Sequence, residues 1–172
     1  GIDISHALQM TGVATSTYLF IADEQGDMAL AVSDMDLYDH ITPQWLSSRQ
    51  GLLDNAQLIV FDTNIPSESI AWLAEHAKVP LFADPVSTAK AEKLRGVLGK
   101  LHTLKPNRLE AQLLSGVEIT DRASLDRCAD VLLGTGLRRV LLSLGSEGMF
   151  AADHQGRCLL PCLPGTMVNT TG

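Results

Sequence analysis

The run Leu104-Lys105-Pro106-Asn107-Arg108-Leu109-Glu110 places a carboxamide and a carboxylate three residues apart, just after a short apolar stretch. On one helical turn Asn107 and Glu110 share a face. Pro106 is tolerated in a first helical turn, where its missing N–H would be unpaired anyway. A carboxamide and a carboxylate aimed together from the end of a strand suit a hydrated Mg²⁺ ion and its phosphate ligands. The same pair also suits a plain helix start, because Asn caps helices and a Glu three residues on completes a capping box. Spacing alone leaves both readings open. The run Val168-Asn169-Thr170-Thr171-Gly172 ends on two threonines and a glycine. A Gly-rich turn opening a helix there would present backbone N–H groups to an anion.

The elements that must position these residues follow from the apolar pattern. Gln57 to Asp62 is an apolar run closed by a carboxylate, and Val79 to Asp84 is another. His102 to Lys105 and Arg139 to Leu144 read as further strands. Continuous runs of this kind mark strands buried on both faces. Helices are expected between them: one capped by Ser67, one capped by Ser87 and running through Leu94 and Leu98, one from Asn107 to Ser115, and one capped by Asp121. Gly116 sits in the usual helix-stop position. Strand and helix alternating from Gln57 to Leu144 imply βαβ units and a parallel sheet. Ligands of such sheets bind beyond the carboxyl ends of the strands. Asp62, Asp84, Asn107 and Ser143 all fall at or just past those ends. Asp62 and Asp84 also have a plainer reading, each bonding to the turn that follows it. Leu144-Gly145-Ser146-Glu147-Gly148 reads either as a tight turn or as a glycine loop that lets a nucleotide approach the backbone. A final hairpin is expected over Gly148 to Leu160.

Ahead of this core, Thr15 to Ala22 is rich in strand formers. Asp23 to Asp27 reads as a turn and Met28 to Val32 as the returning strand, which makes a hairpin. Ser33 to His40 reads as a loop. A helix is expected to start at Thr42-Pro43 and to run through Trp45 and Leu46. Trp45 and Trp72 sit at helical spacing with other apolar residues and read as core.

Composition excludes several function classes. The chain is 45% hydrophobic and 19% charged, as soluble globular chains are. A net charge of −7 with no basic cluster argues against a nucleic-acid surface. No apolar run is long enough to span a membrane and no leader pattern is present. Cys158 and Cys162 lack the His pair of a zinc site, so with Cys128 they read as reduced thiols of a cytoplasmic protein. The five histidines lack a nucleophile and carboxylate at motif spacing, which argues against a hydrolase triad.

Several stretches together resemble the PfkB family of carbohydrate and nucleoside kinases, and within it most of all the pseudouridine kinases. They are Thr15-Ser16-Thr17-Tyr18-Leu19, Asp84-Pro85-Val86-Ser87, His102 to Glu110, Leu114-Ser115-Gly116, Ser143 to Gly148, and Val168 to Gly172. The resemblance implies an α/β, ribokinase-like, three-layer α/β/α fold with a mainly parallel sheet and a small β-hairpin lid. The lid segment would be 12–33 and the core 56–172. It implies that Asn107 and Glu110 organise Mg²⁺ and the phosphates of ATP. Ser143, Gly145 and Gly148 would line the nucleotide site. Thr15 and Thr17 would lie in the lid over a sugar pocket, and Gly172 would begin the anion hole. It assigns no role to His102.

Family members are about twice this length. The expectation is therefore a partial kinase domain, without an N-terminal sugar-binding part and without the general base that follows Gly172, inactive by itself. The implied reaction is transfer of the ATP γ-phosphoryl group to the primary hydroxyl of a ribosyl group, pseudouridine foremost. Rival readings are a ribokinase-, fructokinase- or inosine-type kinase, or a non-catalytic nucleotide-binding fragment. Expected partners are a small nucleoside or sugar and a second copy of the chain through the lid, with no nucleic acid and no membrane.

Overall fold

The computed structural model describes residues 1–22, 28–163 and 165. It separates into a two-stranded hairpin and a six-stranded sheet with helices. The hairpin pairs β1 (Thr17–Ala22) antiparallel with β2 (Met28–Asp34). Its expected turn at 23–27 and the run from Val168 to Gly172 lie outside the described residues. Ser33 to His40, expected as a loop, instead begins as the end of β2 and continues as a 3₁₀ helix over Asp36–His40.

Two short helices, α1 (Pro43–Ser47) and α2 (Gln50–Asn55), lead into the core. Thr42 caps α1 by accepting from the Trp45 N–H, with Pro43 pre-set in the first turn. The core then alternates: β3 (Ile59–Asp62), α3 (Ser67–His76), β4 (Leu81–Asp84), α4 (Thr88–Ala91), β5 (Thr103–Leu104), α5 (Arg108–Ser115), α6 (Arg122–Gly134) and β6 (Arg139–Ser143). A hairpin of β7 (Met149–Asp153) and β8 (Arg157–Leu160) completes it. The strands lie in the spatial order β3-β4-β5-β6-β7-β8, parallel from β3 to β6 and antiparallel beyond.

The four expected strands all form. The helix caps are more mixed. Ser87 and Asp121 cap as expected, accepting from the Lys90 and Ser124 N–H groups. Gly116 adopts φ 71 at the end of α5, the left-handed turn that glycine permits. Ser67, in contrast, is the first helical residue; Pro66 precedes it and no side chain caps α3. The helix expected through Leu98 stops at Ala91 and gives way to 3₁₀ turns at Glu92–Leu94 and Leu98–Lys100.

Burial also departs from expectation. In β4, β6 and β7 buried residues alternate with half-buried ones, and Val60 in β3 is 71% exposed. Only one face of the sheet is sealed by the described residues. Strands taken in spatial order and joined by crossovers of one hand receive their helices on one side. That side holds the core of Leu81, Ala83, Leu104, Val140, Leu142 and Phe150 against Ile70, Leu94, Ala111, Leu114, Leu125 and Leu132.

The turn between β6 and β7 depends on Gly148. Its φ is 98, and a Cβ there would stand 2.0 Å from the Leu160 carbonyl oxygen. Gly148→Ala is therefore expected to lower stability by more than ~1 kcal/mol, because the β8 backbone must move. Gly156→Ala, with nothing within 4 Å of the added methyl, is the matched control. Equal urea midpoints for the two variants of the full-length protein would disprove the steric argument.

Candidate active site at the carboxyl edge of the sheet

The parallel register brings the polar strand ends together. Asp62 pairs directly with Asp84 across β3 and β4. Asn107 bridges to Ser143, and the Ser143 N–H donates to the Pro106 carbonyl at 2.9 Å. A cleft of about 460 Å³ opens over this edge, lined by Asp62, Asp84, Val86, Lys105, Asn107, Glu110 and Ser143. Five positions singled out from sequence thus line one cleft. Gly145 and Gly148 lie in the turn just after β6, outside the lining itself. Thr15 and Thr17 lie at the start of the hairpin and do not line the cleft either. Gly172 is outside the described residues.

Asn107 and Glu110 form a complete capping box. The Asn107 side-chain oxygen accepts from the Glu110 N–H at 2.9 Å, and a Glu110 carboxylate oxygen accepts from the Asn107 N–H at 2.8 Å. The structural reading of the pair is therefore realised, and it does not remove Glu110 from the cleft. Glu110 is only 2% exposed. Burial raises its pKa, the Asn107 N–H opposes that, the charge of Asp84 adds to it, and Lys105 opposes it. A buried carboxylate that is satisfied on one side and faces an acidic neighbour favours an incoming cation.

The two aspartates also make their expected turns. Asp62 accepts from the Asn64 N–H at 2.9 Å, and Asp84 accepts from the Val86 N–H at 3.0 Å. Both keep a second role. Asp62 takes a further bond from the Asn64 amide, and Asp84 pairs with the Lys105 ammonium at 3.0 Å. Among the described residues no three His, Cys, Asp or Glu side chains are grouped to hold a metal by themselves. Oxygen donors supplied by one or two carboxylates, with room left for water and phosphate, suit Mg²⁺.

Two lining residues escaped the sequence reading. Lys105 follows β5 directly, so its place at the edge was available from the strand's end, but its pairing with Asp84 was not. Val86 has φ 63, which is strained for a β-branched residue. No local pattern announces that conformation.

The Glu110 shift has a stability consequence. Its native pKa lies above the ordinary value of 4.5. A raised carboxyl pKa contributes stability below the unfolded value and loses it as pH rises through the native value. Gln in its place keeps an acceptor for the Asn107 N–H. Metal-free Glu110→Gln is therefore expected to be more stable than wild type at neutral pH, with the gap closing as pH falls toward 4.5. Parallel unfolding curves against pH would show that the carboxyl group is not desolvated.

Comparison with known proteins then places the chain. The model of the pfkB family carbohydrate kinases matches residues 1–172. Pseudouridine kinase of Escherichia coli is 39% identical over 91% of this chain and 50% of its own length. The sugar kinase YeiI of the same organism is 32% identical over 100% of this chain and 48% of its own. The chain thus spans about half the length of these curated relatives. The solved ribokinase of Thermotoga maritima superposes with a TM-score of 0.77 at 19% identity, over 91% of this chain and 51% of that one. The chain belongs to the pfkB family of carbohydrate kinases, with the ribokinase-like fold.

Proposed function

We propose that the protein carrying this chain transfers the γ-phosphoryl group of ATP to the primary hydroxyl of a ribosyl group, with pseudouridine as the acceptor. The single observation that carries this reading is the 39% identity to pseudouridine kinase across 91% of the chain. The cleft at the carboxyl edge supports it, because Asn107, Glu110, Asp84 and Lys105 converge there. Mg²⁺, when bound, neutralises charge on the phosphates.

In this reading Asn107 and Glu110 act as one unit. The box between them fixes both side chains before any ligand arrives, so little is lost in ordering them. Glu110 would hold the metal, with room left for its waters. Asp84 keeps the Lys105 ammonium at the cleft, where it favours negative charge. Ser143 fixes the edge through Pro106, and Gly145, with φ 62 and open space around it, lets a nucleotide approach the backbone.

The hairpin fits the role of a lid that also joins two copies. Leu19 pairs with Val32 and Ile21 with Leu30, so these four side chains share one face of the ribbon. Their exposures are 66%, 65%, 62% and 58%. An isolated two-stranded ribbon is marginal in water, and an exposed aliphatic face marks a contact surface. Pairing with the same face of a second copy would cover it. Leu19→Ser with Val32→Ser is expected to shift the full-length protein toward monomer in light scattering; an unchanged mass would rule out this contact.

The catalytic reading is tested on the full-length protein by coupled ADP release with pseudouridine, ribose, fructose and inosine. Highest kcat/KM is expected with pseudouridine. Glu110→Gln is expected to lower turnover or Mg²⁺ affinity by roughly 10–100-fold, as loss of an outer-shell metal partner does. Preference for ribose or inosine would overturn the acceptor. An unchanged Mg²⁺ titration would remove Glu110 from the site.

A further inference from the structure

A second polar cleft lies at the other edge of the sheet. About 460 Å³ opens beside His102, Gly136, Arg138, Arg139, Asp153 and His154. About 400 Å³ opens beside Lys78, Gly99, Lys100, His102 and Arg138. The two share His102 and Arg138, so they form one trough. It runs along the amino ends of β4, β5 and β6, opposite the carboxyl-edge cleft.

The trough has a built floor. Gly99 and Gly136 cross in backbone contact: a Cβ on Gly136 would meet the Gly99 Cα at 3.2 Å, and one on Gly99 would meet the Thr135 carbonyl oxygen at 2.2 Å. This crossing sets the segment carrying Lys100 against the segment carrying Arg138. The His102 ring closes the inner wall, stacked on Phe82 at 5.3 Å and bonded to the Thr103 hydroxyl at 2.9 Å.

The charge is one-sided. Lys78, Lys100, Arg138 and Arg139 line the trough, with Asp153 the one carboxylate among its lining residues. Lys78 is paired with Asp54 and Arg139 with Asp153. Lys100 and Arg138 have no ion-pair partner among the described residues. They are exposed, and they stand on a chain of net charge −7. Helices of a parallel sheet end at this edge, and their dipoles favour a cation near each C-terminus. That accounts for the presence of basic residues. It does not account for two cations without carboxylate partners on either side of a glycine crossing.

We propose that this trough binds a phosphate-bearing small anion, of pyrophosphate size, at a site separate from the carboxyl-edge cleft. Arg138 supplies a planar fork that matches phosphate oxygens, and Lys100 adds a point charge. A chain of phosphates suits the trough better than a single carboxylate, because the cations are spread along it.

The test follows the ring signals of His102 and His154 by NMR in the full-length protein. Pyrophosphate, inorganic phosphate and glycerol phosphate are titrated at constant ionic strength, without Mg²⁺ or nucleotide. A saturable shift of the His102 ring signal is expected, strongest with pyrophosphate. Arg138→Gln with Lys100→Gln is expected to weaken that affinity about tenfold, the scale of a lost charge-assisted contact. Glu110→Gln should leave it unchanged, which separates this site from the catalytic reading. No shift, a shift matched by sodium chloride, or one indifferent to the double variant overturns the proposal. Both substituted residues are exposed, so an unchanged melting temperature is expected to accompany the loss.

Discussion

Register in the parallel sheet is the constraint on which the candidate site depends. Side chains alternate along a strand, so a slip of one residue would turn each strand end to the other face. The pairing of Asp62 with Asp84, and of Asn107 with Ser143, keeps four polar residues at one edge. Apolar residues just upstream fix that register: Leu81 and Ala83 in β4, and Val140 and Leu142 in β6, are buried beneath the helices. The core thus aims the polar residues without touching a ligand.

The pair Asn107 and Glu110 shows how a structural and a chemical role share the same atoms. A capping box supplies about 1 kcal/mol to a helix start. The same box appears at Asp121 and Ser124, which do not line the cleft, where it caps α6. The distinction between the two lies in burial and neighbours. Glu110 is buried beside Asp84 and Lys105, and its pKa is raised. The pKa of Asp121 is lowered instead, by bonds from the Ser124 hydroxyl and N–H. Sequence spacing is identical in kind at both sites, so spacing could not tell them apart.

This explains what the sequence made legible. Apolar runs closed by Asp62 and Asp84 identified strand ends, because a carboxylate cannot continue into a dry interior. Ser87, Asn107 and Asp121 were readable as caps through their short oxygen-bearing side chains. The start of α3 differs because Pro66, with no side-chain acceptor, takes the cap position and Ser67 falls inside the helix. The break after Ala91 had no warning, since Glu92, Lys93 and Leu94 are good helix formers. There tertiary demand wins. Lys93 turns inward to donate to the Thr63 and Ile65 carbonyls at 2.9 Å, and a regular helix is given up. The open second face of the sheet was also hidden, because an apolar run does not say which of its residues will be covered.

A neighbouring lysine, Lys90, bears on the most strained part of the cleft. Val86, with φ 63, occupies a conformation that costs on the order of 1–3 kcal/mol. It persists because its neighbours are fixed on both sides. The Pro85 carbonyl accepts from the Ser87 N–H at 2.7 Å and from the buried Thr63 hydroxyl at 2.5 Å. Asp84 accepts from the Val86 N–H itself. Lys90 donates to Asn64 at 2.5 Å, and Asn64 in turn donates to Asp62. The loops after β3 and β4 are therefore tied to each other and to α4 through several partners, and no single bond carries the load. These ties hold the turns that carry Asp62 and Asp84. The position of the two aspartates is thus set twice, by sheet register below and by the loop ties above, while the side of the cleft away from the sheet remains open to a ligand.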